Sequence, residues 1–194
     1  MEKNKNIIRT IVGVLVLILL VVGVTYAWFT WKSSNINIAG NTGCFDIVYD
    51  KGQDIGSVDS PYGLKSTCTY SEGASASVTM NIDSKCTTTG VASINLITNN
   101  FTLYDSTDAF TRGDNVLKYQ VVKVIDSVEE EIEGCSGYIT NNSTKSLCEV
   151  DLSYTAATYK VYLYLDCNTV TTSYIGASYS GYIQTVVTQT ASKK

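Results

Sequence analysis

Apolar and polar residues alternate along much of the chain after residue 40. The clearest run spans residues 159–166. One of its faces carries Val161, Leu163 and Leu165, and the other carries Lys160, Tyr162, Tyr164 and Asp166. Alternation with a period of two is typical of a β-strand that buries one face. Similar patterns predict further strands at 35–39, 44–49, 78–82, 94–96, 101–104, 116–125, 147–152 and 179–188.

One segment after residue 40 has helical character. Ser127 and Glu130 have the spacing of a capping box, and Gly134 follows as a stop signal, which together predict a helical turn over 128–133. The other elements are eight or nine short strands separated by turn-forming residues. This pattern predicts an all-β fold, a single β-sandwich of immunoglobulin-like or jelly-roll topology.

An unbroken apolar stretch, residues 11–24, follows Lys3, Lys5 and Arg9. Its 14 residues fit the apolar region of a signal peptide, about 7–15 residues. The 21 uncharged residues over 10–30 also approach the roughly 20 that span a bilayer as a helix. The sequence therefore predicts an N-terminal hydrophobic signal or anchor helix. Because cations precede the stretch, the remainder of the chain is expected outside the membrane.

Small residues mark a candidate signal-peptidase site, with Thr25 and Ala27 at the third and first positions before Trp28. The sequence thus divides into three parts. Residues 1–27 are a signal peptide or membrane anchor, residues 28–39 are an aromatic segment and candidate donor strand, and residues 40–194 are an extracellular β-sandwich domain.

The six cysteines are widely spaced and form no C-x-x-C pair. They are Cys44, Cys68, Cys86, Cys135, Cys148 and Cys167. An even number of cysteines after an export signal predicts disulfides. Fifteen pairings are open for six cysteines. One pair, Cys135 with Cys148, can be proposed because the residues between them have the size and polar middle of a hairpin loop.

Composition limits the chemistry that the chain can perform. It contains no histidine, which excludes histidine-dependent nucleophilic catalysis and histidine-based zinc sites. Residues 28–194 carry 11 Lys and Arg against 17 Asp and Glu, so nucleic acid is not an expected partner. The acidic residues within 105–114 and 129–133 match no EF-hand spacing and predict a solvated surface. We expect no enzyme activity, no metal and no cofactor.

Tyrosines are the remaining candidates for a binding surface. Tyr162 and Tyr164 are predicted to point away from the apolar face of their strand, and Tyr179 and Tyr182 lie on the last predicted strand. Exposed tyrosines form binding surfaces for sugars and proteins. Tyrosines buried between two sheets are equally compatible with the pattern if their hydroxyls find partners. The sequence leaves both interpretations open.

The residues Gly23-Val-Thr25-Tyr-Ala27-Trp-Phe29-Thr30 resemble the export junction of the TasA/camelysin family. Members are secreted by Gram-positive bacteria and are processed by a SipW-type signal peptidase. The resemblance covers about the first thirty residues and implies a β-sandwich whose mature N-terminus inserts as a donor strand into the next subunit of a biofilm fibre. The six cysteines depart from the cysteine-poor family members. A metalloprotease activity is not implied, because the chain has no H-E-x-x-H motif.

Two functions follow from these observations. The first is a non-catalytic extracellular surface or biofilm-matrix protein, in one form a fibre subunit that assembles by donor-strand exchange. Its predicted assembly residues are Trp28, Phe29, Trp31, Ile36 and Ile38. The alternative is a membrane-tethered, adhesin-like binding module for a glycan or a protein. The expected partners are further copies or other surface proteins, and the membrane if the N-terminal segment is uncleaved.

Overall fold

Most strands of the computed structural model lie where the alternation predicts them. The structure describes residues 44–50, 54–56 and 64–190. The strands in this part are β1 (Phe45–Asp50), β2 (Ser66–Thr67), β3 (Ala74–Ile82), β4 (Thr89–Thr102), β5 (Leu117–Ile125), β6 (Val128–Ile139), β7 (Thr144–Asp151), β8 (Ala157–Asp166) and β9 (Ser178–Thr190). Short 3-10 helices span Tyr70–Glu72, Ala109–Arg112 and Thr172–Tyr174. The predicted all-β fold is confirmed for these residues.

The strands form two sheets. The larger sheet has the order β1-β3-β8-β5-β6 and is antiparallel along this path, with β2 pairing in parallel with the end of β8. The smaller sheet has the antiparallel order β7-β4-β9. Residues of both sheets contribute to one hydrophobic core, an arrangement that fits a β-sandwich.

The core follows the period-two pattern of the strands. Val161 and Leu163 of β8, Ile94 and Leu96 of β4 and Ile183 of β9 are fully buried within it. At one end of the core, the ring of Phe101 lies 5.3–6.0 Å, between centroids, from the rings of Phe110, Tyr174 and Tyr179. Such close ring pairs add to the stabilisation that burial provides.

The predicted helical turn over 128–133 is wrong. These residues belong to β6, and the chain reverses at Asp126 and Ser127, whose φ angles are 50° and 68°. Two successive residues with positive φ make a tight two-residue hairpin turn, which pairs Ile125 with Val128. The hydrogen bonds of the hairpin with β5 therefore replace those of a helical turn, and the capping-box spacing has no structural role.

This turn provides a stability prediction. Serine with positive φ is strained, whereas glycine adopts this conformation without a steric penalty. We expect Ser127→Gly to raise the free energy of unfolding by about 0.5–1 kcal/mol, measured by urea denaturation. The matched control is Ser146→Gly on the exposed face of β7, which should lower stability because glycine weakens a strand. Equal losses in both variants would contradict the turn assignment.

Two further predictions differ from the structure or fall outside it. Only the first half of the predicted strand 101–104 is a strand. Residues 101–102 form the end of β4, which continues through Asn99 and Asn100 with a register shift. The predicted strand 35–39 and the signal or anchor helix lie outside the described residues. Within the described residues, no helix has the length and apolar content needed to cross a membrane.

Candidate functional site

Three disulfides link distant parts of the domain, and one of them joins the two sheets. Cys135 and Cys148 are bonded, as the sequence predicts, and the other pairs are Cys44–Cys86 and Cys68–Cys167. The Cα–Cα distances are 5.7 Å for Cys44–Cys86, 5.1 Å for Cys68–Cys167 and 5.0 Å for Cys135–Cys148. These distances fall in the normal range for disulfides. All six cysteines therefore form disulfides.

The hairpin that suggested the Cys135–Cys148 pair is not present. Cys135 lies in β6, at the edge of the larger sheet, and Cys148 lies in β7, at the edge of the smaller sheet. The disulfide thus joins two sheet edges. The Cys44–Cys86 bond joins the residue before β1 to the β3–β4 connection. The Cys68–Cys167 bond joins the residues that follow β2 and β8.

The outer face of the larger sheet carries a lysine, a tyrosine and a glutamate in contact. Glu129 Oε1 accepts a hydrogen bond from the Tyr162 hydroxyl at 2.6 Å and lies 3.0 Å from Lys160 Nζ. The Lys160 ammonium lies 4.6 Å from the centre of the Tyr162 ring. Burial raises the pKa of Glu129, but the bonds from Tyr162 and Lys160 outweigh it and lower the pKa overall. Glu129 is therefore ionised at neutral pH, unlike a general acid, which needs a raised pKa.

A second cluster of a lysine, a tyrosine and a carboxylate lies on this face. Asp166 Oδ2 accepts a hydrogen bond from the Tyr138 hydroxyl at 2.5 Å and lies 3.7 Å from Lys118 Nζ. Its Oδ1 accepts from the backbone amide and the side-chain amide of Asn168, both at 3.0 Å. The Tyr138 bond and the Asn168 backbone bond lower the pKa of Asp166, despite burial. The carboxylate is held ionised by these donors.

A shallow depression of about 330 Å³ adjoins the first cluster. Side chains that line it include Lys65, Ser71, Glu72, Ser75, Lys160 and Tyr162. Glu72 Oε2 accepts a hydrogen bond from the buried Thr67 hydroxyl at 3.0 Å. The lining can offer hydrogen bonds to a small polar molecule. The carboxylate of Glu72, which lines it, and that of Glu129, which contacts the lining residues Lys160 and Tyr162, already accept hydrogen bonds from the protein.

The tyrosines are more buried than a binding surface requires. Tyr162 and Tyr164 point outward from the sheet, opposite the core-facing residues of β8, yet they are only 3 % and 5 % exposed. The ring of Tyr70 packs 5.2 Å from that of Tyr162, between centroids. Tyr179 is buried in the core, and Tyr182 is half-buried. For Tyr162, Tyr164 and Tyr179, the structure favours burial over a broad exposed surface.

The acidic loop residues are held by bonds within the protein. Asp108 accepts from the backbone amide of Phe110 and from the side chain of Asn142. Asp114 accepts from the Tyr174 hydroxyl and lies 3.6 Å from Arg112 Nε. In the part of the chain that the structure describes, no group of three or more His, Cys, Asp or Glu residues could hold a metal ion.

Several predicted site residues fall outside the described part of the chain. These are the cleavage residues Thr25, Ala27 and Trp28 and the assembly residues Trp28, Phe29, Trp31, Ile36 and Ile38. Conversely, the sequence interpretation missed the two lysine–tyrosine–carboxylate clusters. Had β6 been recognised, its alternation would have placed Glu129 and Glu131 on one face.

No family model, curated protein or solved structure matches the chain. The function is therefore argued from the residues of this chain alone.

Proposed function

We propose that the chain is a non-catalytic extracellular surface or matrix protein whose copies assemble by exchange of an N-terminal strand. The observation that carries the proposal is the set of three disulfides in the two-sheet fold. Disulfides form and persist in oxidising compartments, among them the outside of the cell. This location agrees with the export segment expected from residues 1–27.

Of the two topologies expected from the sequence, we assign the jelly roll. If the eight longer strands are numbered in chain order, β3-β8-β5-β6 is the order 2-7-4-5 and β9-β4-β7 is the order 8-3-6. A jelly roll has these orders, and its first strand lies beside the eighth. Here β1 pairs with β3 instead, while Asp54, shortly after β1, forms a single bridge with Tyr182 of β9.

The seam between β1 and β9 supports strand exchange. The backbone amide of Thr185 donates to the Tyr49 hydroxyl at 2.8 Å, and the Ile55 amide donates to the Gly181 carbonyl at 3.1 Å. The odd-numbered residues of β9 therefore direct their backbone groups away from β4. At Thr185, the Tyr49 hydroxyl accepts the hydrogen bond that the backbone carbonyl of a neighbouring strand would otherwise accept. An added strand from residues 28–39 of another copy would supply carbonyls and amides here.

The test compares residues 28–194 with the same protein lacking residues 28–39. We expect the longer protein to form fibres by light scattering and electron microscopy, and the shorter one to stay monomeric. In a second variant, Val187→Pro, the lost amide points to the seam and not to β4, so the fold should survive while assembly is lost. Circular dichroism checks the fold. Fibres that persist in the deletion, or a monomeric longer protein, would contradict strand exchange.

The seam also provides a stability prediction. The Thr185 hydroxyl is buried, and it has no hydrogen-bond partner within the described residues. An unpaired buried hydroxyl costs about 1–3 kcal/mol. We expect Thr185→Val, which keeps the shape of the side chain, to stabilise the monomer by about 1 kcal/mol in urea denaturation. The control is Thr188→Val at an exposed position of β9, expected to change stability by less than about 0.5 kcal/mol.

The second candidate function is a membrane-tethered binding module. The observation that favours it is the exposure of two large side chains, Tyr104 and Ile175, on neighbouring loops. The mass of the protein recovered from producing cells separates the two functions. A species that begins at Trp28 supports the surface or matrix protein, and a full-length membrane-bound species supports the tethered module.

A further inference from the structure

The two ends of the described domain differ in what they carry. Thr89 pairs with Thr190, and Cys44 is bonded to Cys86, so the chain enters the domain and leaves it at one end of the sheets. At the other end, Thr102 pairs with Ser178, and Leu117 pairs with Leu165. The connection from β1 to β3 also reaches this end, because Ala74 pairs with Leu163 and Ser66 pairs with Leu165. We give the name loop end to the other three connections there, residues 103–116, 140–143 and 167–177.

Hydrogen bonds join the three connections of the loop end to one another. The Asn142 side chain donates to Asp108 Oδ2 at 2.6 Å. The Thr169 hydroxyl donates to the Asn115 carbonyl at 2.8 Å, and the Tyr174 hydroxyl donates to Asp114 Oδ2 at 3.1 Å. The aromatic rings around Phe101 lie beneath these residues. Because the loops are already ordered, a partner that binds them avoids part of the entropy loss of association.

Two large apolar side chains are exposed on this rigid base. Tyr104 is 86 % exposed and Ile175 is 75 % exposed, the highest values among the large hydrophobic residues that the structure describes. They are neighbours across two loops, because the Tyr104 ring lies beside Gly176, where an added Cβ would be 3.3 Å from the ring. Gly176 also has a φ of 77°, which favours glycine. The close approach and the backbone angle both favour glycine at position 176, which places Tyr104 beside the residue that follows Ile175.

The connections that carry this apolar pair are acidic. The three connections contain Asp105, Asp108 and Asp114, and their cation is Arg112, which is paired with Asp114. They contain no lysine. An apolar centre with a charged rim is the usual organisation of a protein interface, in which the rim selects partners of opposite charge.

We propose that the loop end is a recognition surface for a protein whose docking patch is an apolar depression bordered by Lys or Arg side chains. Tyr104 and Ile175 fill the depression, and the aspartates face the cations. The proposal rests on the candidate function of a binding module and gives it a site. Two copies of this chain, facing each other through their loop ends, would bring like charges together, so the occupant is a different protein. Nucleic acids and anionic membranes are repelled for the same reason.

The experiment selects binding peptides from an unbiased phage-displayed library against the full chain in detergent. The selected peptides are then titrated, as synthetic peptides, against two variants. The first, Tyr104→Ser with Ile175→Ser, removes the apolar pair. The matched control, Val128→Ser with Tyr154→Ser, removes exposed side chains that are 62 % and 55 % exposed and lie towards the opposite end of the sheets. Circular dichroism verifies that both variants fold.

We expect the peptides to combine an apolar residue with Lys or Arg. Their Kd should rise about tenfold or more for the first variant, as for an interface hot spot, and less than about twofold for the control. Added salt should also weaken binding. Peptides without cations, or equal binding to wild type and the first variant, would overturn the proposal. So would self-association of the full chain that the first variant abolishes, because the occupant would then be a second copy. These outcomes test the loop end separately from the proposed function, because none of them requires fibre formation or cleavage before Trp28.

Discussion

Replacement of Cys68 and Cys167 by serine should lower the free energy of unfolding by about 4.7 kcal/mol. The bond joins residues separated by 99 positions, the longest separation of the three disulfides. A cross-link over a long loop removes the most conformational freedom from the unfolded chain, and the estimate follows from that loss. Urea denaturation of the double variant and of the oxidised wild type measures the difference.

The other two disulfides are internal controls for this prediction. Cys44–Cys86 has a sequence separation of 42 and Cys135–Cys148 a separation of 13. Their removal should cost about 3.9 and about 2.9 kcal/mol. The order of the three losses is the decisive quantity. If removal of Cys135–Cys148 is the most damaging, the bond between the sheet edges acts through the folded state and the entropic explanation is wrong.

Replacement of Asp166 by alanine should lower the free energy of unfolding by about 3 kcal/mol. The side chain is only 6 % exposed and accepts bonds from the Tyr138 hydroxyl and from Asn168, with Lys118 nearby. Alanine would leave these donors without their acceptor, and unsatisfied buried donors are costly. Thermal and urea denaturation at neutral pH measure the loss. Asp50→Asn on the exposed face of β1 is the control, with an expected change below about 0.5 kcal/mol.

The same carboxylate predicts a dependence of stability on pH. The Tyr138 hydroxyl and the Asn168 amide lower the pKa of Asp166 below its ordinary value. Because the folded pKa is lower than the unfolded pKa of about 3.9, the stabilisation is fully present above the unfolded value. It is lost as the pH falls through the folded value. The difference in stability between wild type and Asp166→Asn should therefore be constant above about pH 5 and shrink below about pH 4. A constant difference down to pH 2 would contradict the assignment.

The sequence alone was sufficient for the elements whose signal is local. Alternation in β8 placed Val161 and Leu163 in the core and Tyr162 on the opposite face, because the pleat of a strand fixes these directions. The even number of cysteines was sufficient to predict disulfides. The nearby pair Cys135 and Cys148 was also predicted, although through a hairpin that does not exist.

Only the tertiary structure decided features that depend on which strands become neighbours. The acidic residues of β6 gave no strand signal in the sequence, because a run of glutamates is usually solvated. Glu129 and Glu131 belong to a strand here because β6 pairs with β5. The partners of Cys44 and Cys68 follow from the sheet order. Glu129 meets Lys160 from 31 positions away.

The loop end arises from the fold in the same way. Tyr104 and Ile175 are distant in sequence and lie on neighbouring loops because β4 and β9 are paired along their whole length. The hydrogen bonds that hold the connections link segments from three parts of the chain. Local sequence determines the pleat of a strand, because the pleat depends on neighbouring residues. Strand order and register depend on the packing of the whole core. The surfaces formed by several connections, such as the loop end, therefore depend on it too.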